Sequence, residues 1–173
     1  MNRVADRDYI VPIKGLSLGK HQYGFTIDDN FFDGYEGSEI TSADIKVDLT
    51  LDRHTTFMEI KGVFEGIVKS ECDRCLEELD LELDFETSLL VKFTRTNQEE
   101  DNEEVLILDP SESELDMKQF FYDYVCLALP LQKVHREGEC DPRMIEKLEK
   151  LRGESDILPE GRTPFDKLKD LMN

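Results

Sequence analysis

The sequence predicts an α+β fold: an antiparallel β-sheet with a Cys-x-x-Cys knuckle between two strands, followed by two or three helices packed on it. Three observations carry this prediction. Apolar and polar residues alternate in long runs through the first part of the chain, which is the period of half-buried strands. Beyond Asp116 the apolar residues recur every three or four positions instead, which is the period of a helix with one buried face. The pair Cys72 and Cys75 falls in the break between two strand-like runs and is answered far downstream by His135 and Cys140.

Tyr9 to Leu16 is a candidate first strand, and His21, Tyr23, Phe25 and Ile27 mark another. The glycine-bearing segments 15–19 and 33–39 read as loops. Ala43, Ile45, Val47, Leu49 and Leu51 then alternate with Asp44, Lys46, Asp48, Thr50 and Asp52. After the polar turn 53–55, Met58, Ile60, Gly62, Phe64, Gly66 and Val68 share a face, so the two runs form a β-hairpin. Past the cysteine pair, Leu79, Leu81, Leu83, Phe85, Leu89, Val91 and Phe93 alternate with Asp80, Glu82, Asp84 and Glu86, which gives a long strand with an acidic outer face. An acidic loop at 98–104 and a short edge strand at 105–108 follow.

Asp116 with Gln119 three residues on forms a capping box for a helix whose buried face is Met117, Phe120, Phe121, Tyr124, Val125 and Ala128. Pro130 stops it. Asp141-Pro142 repeats the cap-and-first-position pattern for a second helix to about Leu151, and Thr163-Pro164 opens a last short one through Phe165, Leu168 and Leu171. Residues 1–152 are thus expected to form one α+β domain, and 153–173 a C-terminal tail with a short helix.

Cys72, Cys75, His135 and Cys140 are the candidate metal ligands. A tight turn between strands supplies two ligands of many zinc sites, and a second pair closes the tetrahedron around Zn²⁺. With the second pair some 60 residues downstream, the metal would act as a long-range clip. A metal-free cluster of the same four side chains is the plain alternative. The functional rival is a thiol oxidoreductase, but its Cys-x-x-Cys belongs at a helix N-terminus in a βαβ unit rather than between antiparallel strands. Cys126 lies on the apolar helix and reads as a small hydrophobe, while His21 and His54 lack nearby partners and read as surface imidazoles.

Composition bounds what the chain can do. The 173 residues suffice for one domain with a real core, and no apolar run reaches the length of a membrane span. The opening residues carry charge where a signal peptide would be apolar, so the expected location is the cytoplasm and the cysteines are expected as thiols or ligands rather than disulfides. Forty acidic against 21 basic residues give a net charge of −19, which repels phosphate backbones unless the charges are segregated. They are: residues 80–123 hold 14 acidic and three basic side chains, whereas 133–173 holds nine basic and ten acidic.

With these residues placed, the chain resembles the YceD family, the large ribosomal RNA subunit accumulation proteins. Glu71-Cys72-Asp73-Arg74-Cys75-Leu76 looks like the family's E-C-x-R-C core, and Leu127-Ala128-Leu129-Pro130-Leu131 like its L-A-L-P segment. His135 and Cys140 fall where its His and last Cys follow, and residues 163–168 are similar to its closing N-P-F-x-x-L element, with Thr163 in place of Asn. The resemblance implies a non-enzymatic factor in ribosome biogenesis that supports accumulation of large-subunit ribosomal RNA. Its partner would be a ribosomal protein or that RNA, with no membrane and no small-molecule substrate.

No nucleophile paired with a base and no phosphate-cradling loop stands out in the sequence, so the expected mechanism is binding. Arg74, together with Lys69, Lys133, Arg136 and Arg143, is one candidate contact, for RNA phosphates. Asp80, Glu82, Asp84 and Glu86 are the other, for a basic ribosomal protein. A zinc-stabilised adaptor unrelated to ribosomes is the alternative from another class.

Overall fold

A computed structural model of the chain describes residues 3–4, 9–95 and 105–155. The expected acidic loop at 98–104 and the expected closing helix from Thr163 lie outside the described residues. The elements, in chain order, are β1 (Arg3–Val4), β2 (Ile10–Pro12), β3 (Gly19–Ile27), α1 (Asp29–Phe32), β4 (Ile40–Arg53), β5 (Phe57–Glu71), β6 (Glu78–Phe93), β7 (Val105–Leu108), β8 (Glu114–Asp116), α2 (Lys118–Ala128) and α3 (Pro142–Ser155). The class is α+β, with a mixed, mostly antiparallel sheet and three described helices. None of the described helices is long and apolar enough to cross a membrane.

The chain divides into two compact units, one comprising the chain up to Glu71 with Glu78–Lys133, the other Cys72–Glu77 with the chain from Val134 onward. In the first, six strands lie in the order β1-β3-β4-β5-β6-β7, and β2 pairs with β8 in a separate two-stranded ribbon. The four long strands β3 to β6 form an antiparallel meander, while β1 and β7 join its two ends in parallel.

Register follows from the apolar alternation. Val47 faces Phe64 and Phe64 faces Phe85 across the ladder, and Leu51, Ile60 and Leu89 form a second row on the same face. That face is the core: Ile45, Val47, Leu49, Leu51, Met58, Ile60, Phe64, Val68 and Val91 are buried. A slip of one residue would turn this whole set to water. Helix α2 covers part of the face through Phe121, whose ring meets Tyr9, Phe25 and Phe64 at centroid distances of 5.9, 5.3 and 5.6 Å. Burying a phenylalanine this fully contributes about 1.5–3 kcal/mol, with more from the edge-on ring contacts.

One local expectation is corrected and one unforeseen element appears. No capping box forms at the start of α2: the Asp116 carboxylate accepts from the Lys118 amide at 2.8 Å, but Gln119 donates to Asp123 at 2.7 Å instead of reaching back. Met117 thus occupies the cap position without a side-chain hydrogen bond and buries its own side chain. Helix α1, in a segment without periodicity, is a single turn capped by Asp28, and it buries Phe31 and Phe32. Its Asp29 accepts from the Ala43 amide and the Ser42 hydroxyl, both at 2.8 Å, beside the register shift in β4 between Ile40 and Ser42. These two hydrogen bonds hold the Asp29 carboxyl below its ordinary pKa.

Gly66 sits against the backbone of β4. A Cβ there would collide with the Asp44 carbonyl oxygen and lie 2.6 Å from the Ile45 Cα, both backbone atoms that cannot swing aside. Gly66→Ala should therefore destabilise the first unit by on the order of 3 kcal/mol. Gly24→Ala, whose Cβ would meet only the Asp48 carboxylate at 3.7 Å, should stay within about 1 kcal/mol of the parent. Urea unfolding of the two variants measures the difference, and equal midpoints would contradict the close approach.

Candidate metal centre

The second unit is built around the short segment that joins β5 to β6. The chain reverses within Cys72–Glu77: the Leu76 amide donates to the Cys72 carbonyl and the Cys72 amide to the Glu77 carbonyl, both at 2.9 Å. Such a turn needs one residue in the left-handed region, and here it is Leu76, at φ 63°. Its side chain is 60% exposed. The other half of the unit begins at Val134. A turn with Gly138 at φ 87° and the Glu139 amide bonded to the Arg136 carbonyl brings the chain to Cys140. Asp141 then caps α3, its carboxylate accepting from the Arg143 amide at 3.1 Å, with Pro142 at the first helical position as the sequence predicts.

These two segments bring together Cys72, Cys75, His135 and Cys140, with one ligand atom of each within 4.8 Å of all the others. Cys72 Sγ lies 4.0 Å from Cys140 Sγ, and Cys75 Sγ lies 3.3 Å from His135 Nδ1. A tetrahedral site with metal–sulfur bonds of about 2.3 Å has sulfur–sulfur edges of about 3.8 Å, so the cluster is already near the size of a coordination shell. The three cysteines are buried and His135 is half-buried. The four residues can hold a metal ion.

The electrostatics favour a thiolate at one position. Burial raises the Cys72 thiol, but the backbone amides of Cys75, His135 and Arg74 all donate to its sulfur and outweigh burial, so its pKa falls well below the ordinary value. Cys140 moves the opposite way, raised by burial and by the neighbouring Cys75 and Cys72 sulfurs. A negative charge on Cys72 thus opposes ionisation of Cys140 4.0 Å away, an opposition that a bound cation would relieve. The amide donors could not be read from the sequence, since a backbone N–H carries no residue code; only the two-residue Cys-x-x-Cys spacing hinted at a turn that aims them.

The remaining sequence candidates are placed as follows. Arg74, Arg136 and Arg143 are exposed. Lys69 and Lys133 are engaged by carboxylates: Lys69 pairs with Glu78 at 2.6 Å and Asp80 at 3.9 Å, and the buried Lys133 pairs with Glu39 at 2.7 Å. Asp80, Glu82, Asp84 and Glu86 are all exposed along one face of β6. Cys126 lies outside the cluster. It is half-buried rather than fully buried, because it stands at the flank of α2 beside Tyr122, and burial raises its thiol pKa. His21 bonds the Ser17 carbonyl at 2.8 Å, and His54 stacks on Phe57 with ring centroids 4.3 Å apart.

A sheet-and-helix protein with a Cys₃His cluster fit for a metal is the class that fold and site define. The chain belongs to the YceD family, since the family model described as large ribosomal RNA subunit accumulation protein YceD matches residues 60–172. That description is of an accumulation factor, not of an enzyme. Among curated proteins and solved structures, no match to this chain is found.

Metal binding by the reduced apoprotein should release protons at neutral pH, because Cys140, with its raised pKa, must give one up to become a ligand. Acidification should reverse this, expelling metal as the thiolates protonate. Calorimetry in two buffers of different ionisation enthalpy measures the protons released, and a count of zero would contradict the assignment. Cys140→Ser should lose bound metal and lower Tm, whereas Cys126→Ala should keep its metal and lose only about 1 kcal/mol of packing. Metal analysis of the two purified variants checks the choice of ligands.

Proposed function

We propose that this chain is a non-enzymatic factor of large-subunit ribosome biogenesis, working in the cytoplasm by binding a basic ribosomal protein. Cys72, Cys75, His135 and Cys140 would hold one structural Zn²⁺. Three thiols and an imidazole form a soft donor set that suits Zn²⁺ and disfavours Mg²⁺ or Ca²⁺, and four protein ligands leave no open position for a reacting molecule. The metal would contribute folding free energy to the second unit, and the cluster's own side chains would do no further chemistry.

The observation that carries the choice of a protein partner is the state of the charges. The outer side of β6 presents Asp80, Glu82, Asp84 and Glu86 to solvent, while two of the five cations expected to contact RNA are tied to carboxylates. Long-range attraction to a cationic protein follows, and it raises association rates and selects against anionic partners. The family description supplies the process, accumulation of large-subunit ribosomal RNA, which a protein could support by protecting or assembling that RNA with its proteins.

Cells lacking the protein should show a deficit of large-subunit relative to small-subunit RNA. Tagged protein should recover large-subunit ribosomal proteins, recovery should survive nuclease treatment, and Asp80→Lys with Glu82→Lys should reduce it at least tenfold. Recovery that vanishes with nuclease, falls steeply with salt and fails in Arg74→Glu would replace this reading with direct RNA binding through the exposed arginines. Normal RNA ratios in a clean deletion would remove the ribosomal role.

A further inference from the structure

We propose that the free edge of β6 is a strand-addition site, which takes an extended peptide segment of alternating basic and apolar residues as a seventh strand of the sheet. The proposal rests on the reading that the partner is a basic protein and specifies how that protein is held. β6 runs over 16 residues and pairs with β5 along nearly its whole length, from Phe57↔Lys92 to Glu71↔Glu78. On its other side β7 pairs only with Leu90–Phe93. Among the described residues, no strand pairs with that side of residues 79–89. In an antiparallel strand every second residue turns both its N–H and its C=O away from the neighbour, so this stretch offers a row of donors and acceptors about 40 Å long.

The side chains flanking that row specify the occupant. On the solvent face stand Asp80, Glu82, Asp84 and Glu86, all exposed. On the core face Leu81, Phe85 and Leu89 are only half-buried, although they pack against the core cluster. An added strand would place its residues alternately on the two faces. Lys or Arg on one face would meet the carboxylates as cross-strand pairs, each contributing about 0.2–1 kcal/mol, and apolar residues on the other would extend the cover of Leu81, Phe85 and Leu89. A second copy of β6 would set carboxylates opposite carboxylates, so the same face that attracts a basic strand rejects self-pairing. An exposed long edge is normally a hazard; here its charge makes it selective.

The test uses purified, metal-loaded full-length protein and two synthetic probes: a ten-residue Lys-Val repeat and its fully N-methylated analogue, equal in charge but without backbone donors. The parent peptide should bind and slow hydrogen exchange at alternate β6 amides between Leu79 and Leu89, the analogue should bind at least tenfold more weakly, and Glu82→Lys with Asp84→Lys should weaken the parent peptide at least tenfold. Equal binding of the two peptides, or binding without protection of β6 amides, would reduce the surface to unspecific charge attraction and overturn the proposal. No binding of the parent peptide at low salt would overturn it as well. Recovery of ribosomal proteins from cells reads the proposed function separately, so either reading can fail while the other stands.

Discussion

The register of β5 is the constraint on which the rest of the first unit depends. It is paired on both sides along nearly its whole length, so one choice of register fixes β4 and β6 together. In that register Met58, Ile60, Phe64 and Val68 face the core, while Glu59, Lys61, Glu65 and Lys69 face water. The alternative register would bury four charged side chains and expose four large apolar ones, a loss that no turn or cap could offset. Glycine makes the chosen register fit: a Cβ at Gly62 would lie 2.9 Å from the Phe64 ring, which stacks flat on Phe85 with centroids 4.6 Å apart. The same alternation that builds the core therefore also builds the charged outer face.

The second unit draws on different chemistry. Its described residues include few large buried side chains besides the cysteines, and α3 leaves Leu148 and Leu151 exposed. With a metal bound, as proposed, the cluster would be a compact substitute for apolar area, since one ion would replace many methylene contacts, and its closure of a long loop would restrict the unfolded chain more than a local finger does. The cluster also organises charge: amides converge on the Cys72 sulfur much as they do at an anion site.

Much of this was legible in the sequence, because it rests on periodicity and on ligand chemistry. The four long strands, the helix from 118, the helix opening at Pro142 and the meeting of Cys72, Cys75, His135 and Cys140 were all written in residue type and spacing. What escaped has a common cause, short range or pairing with distant backbone. Helix α1 is one turn, too brief for a period to register, and β8 is a three-residue strand defined only by its partner Ile10–Pro12. The box expected at Asp116 failed because Gln119 found Asp123 one turn ahead. Lys133 looked like a surface cation because nothing in its neighbourhood of sequence names Glu39, 94 positions earlier, as its counter-ion.

The arrangement of strand directions carries a kinetic consequence. The four central strands follow one another in sequence as hairpins, so each pairing closes a short loop and needs little search. The two outermost pairings are parallel, and a parallel neighbour requires the chain to travel back along the sheet before it can dock. The topology thus favours early assembly of the meander, with the flanking strands joining later. A sheet built this way keeps its margins exchangeable while its centre stays closed.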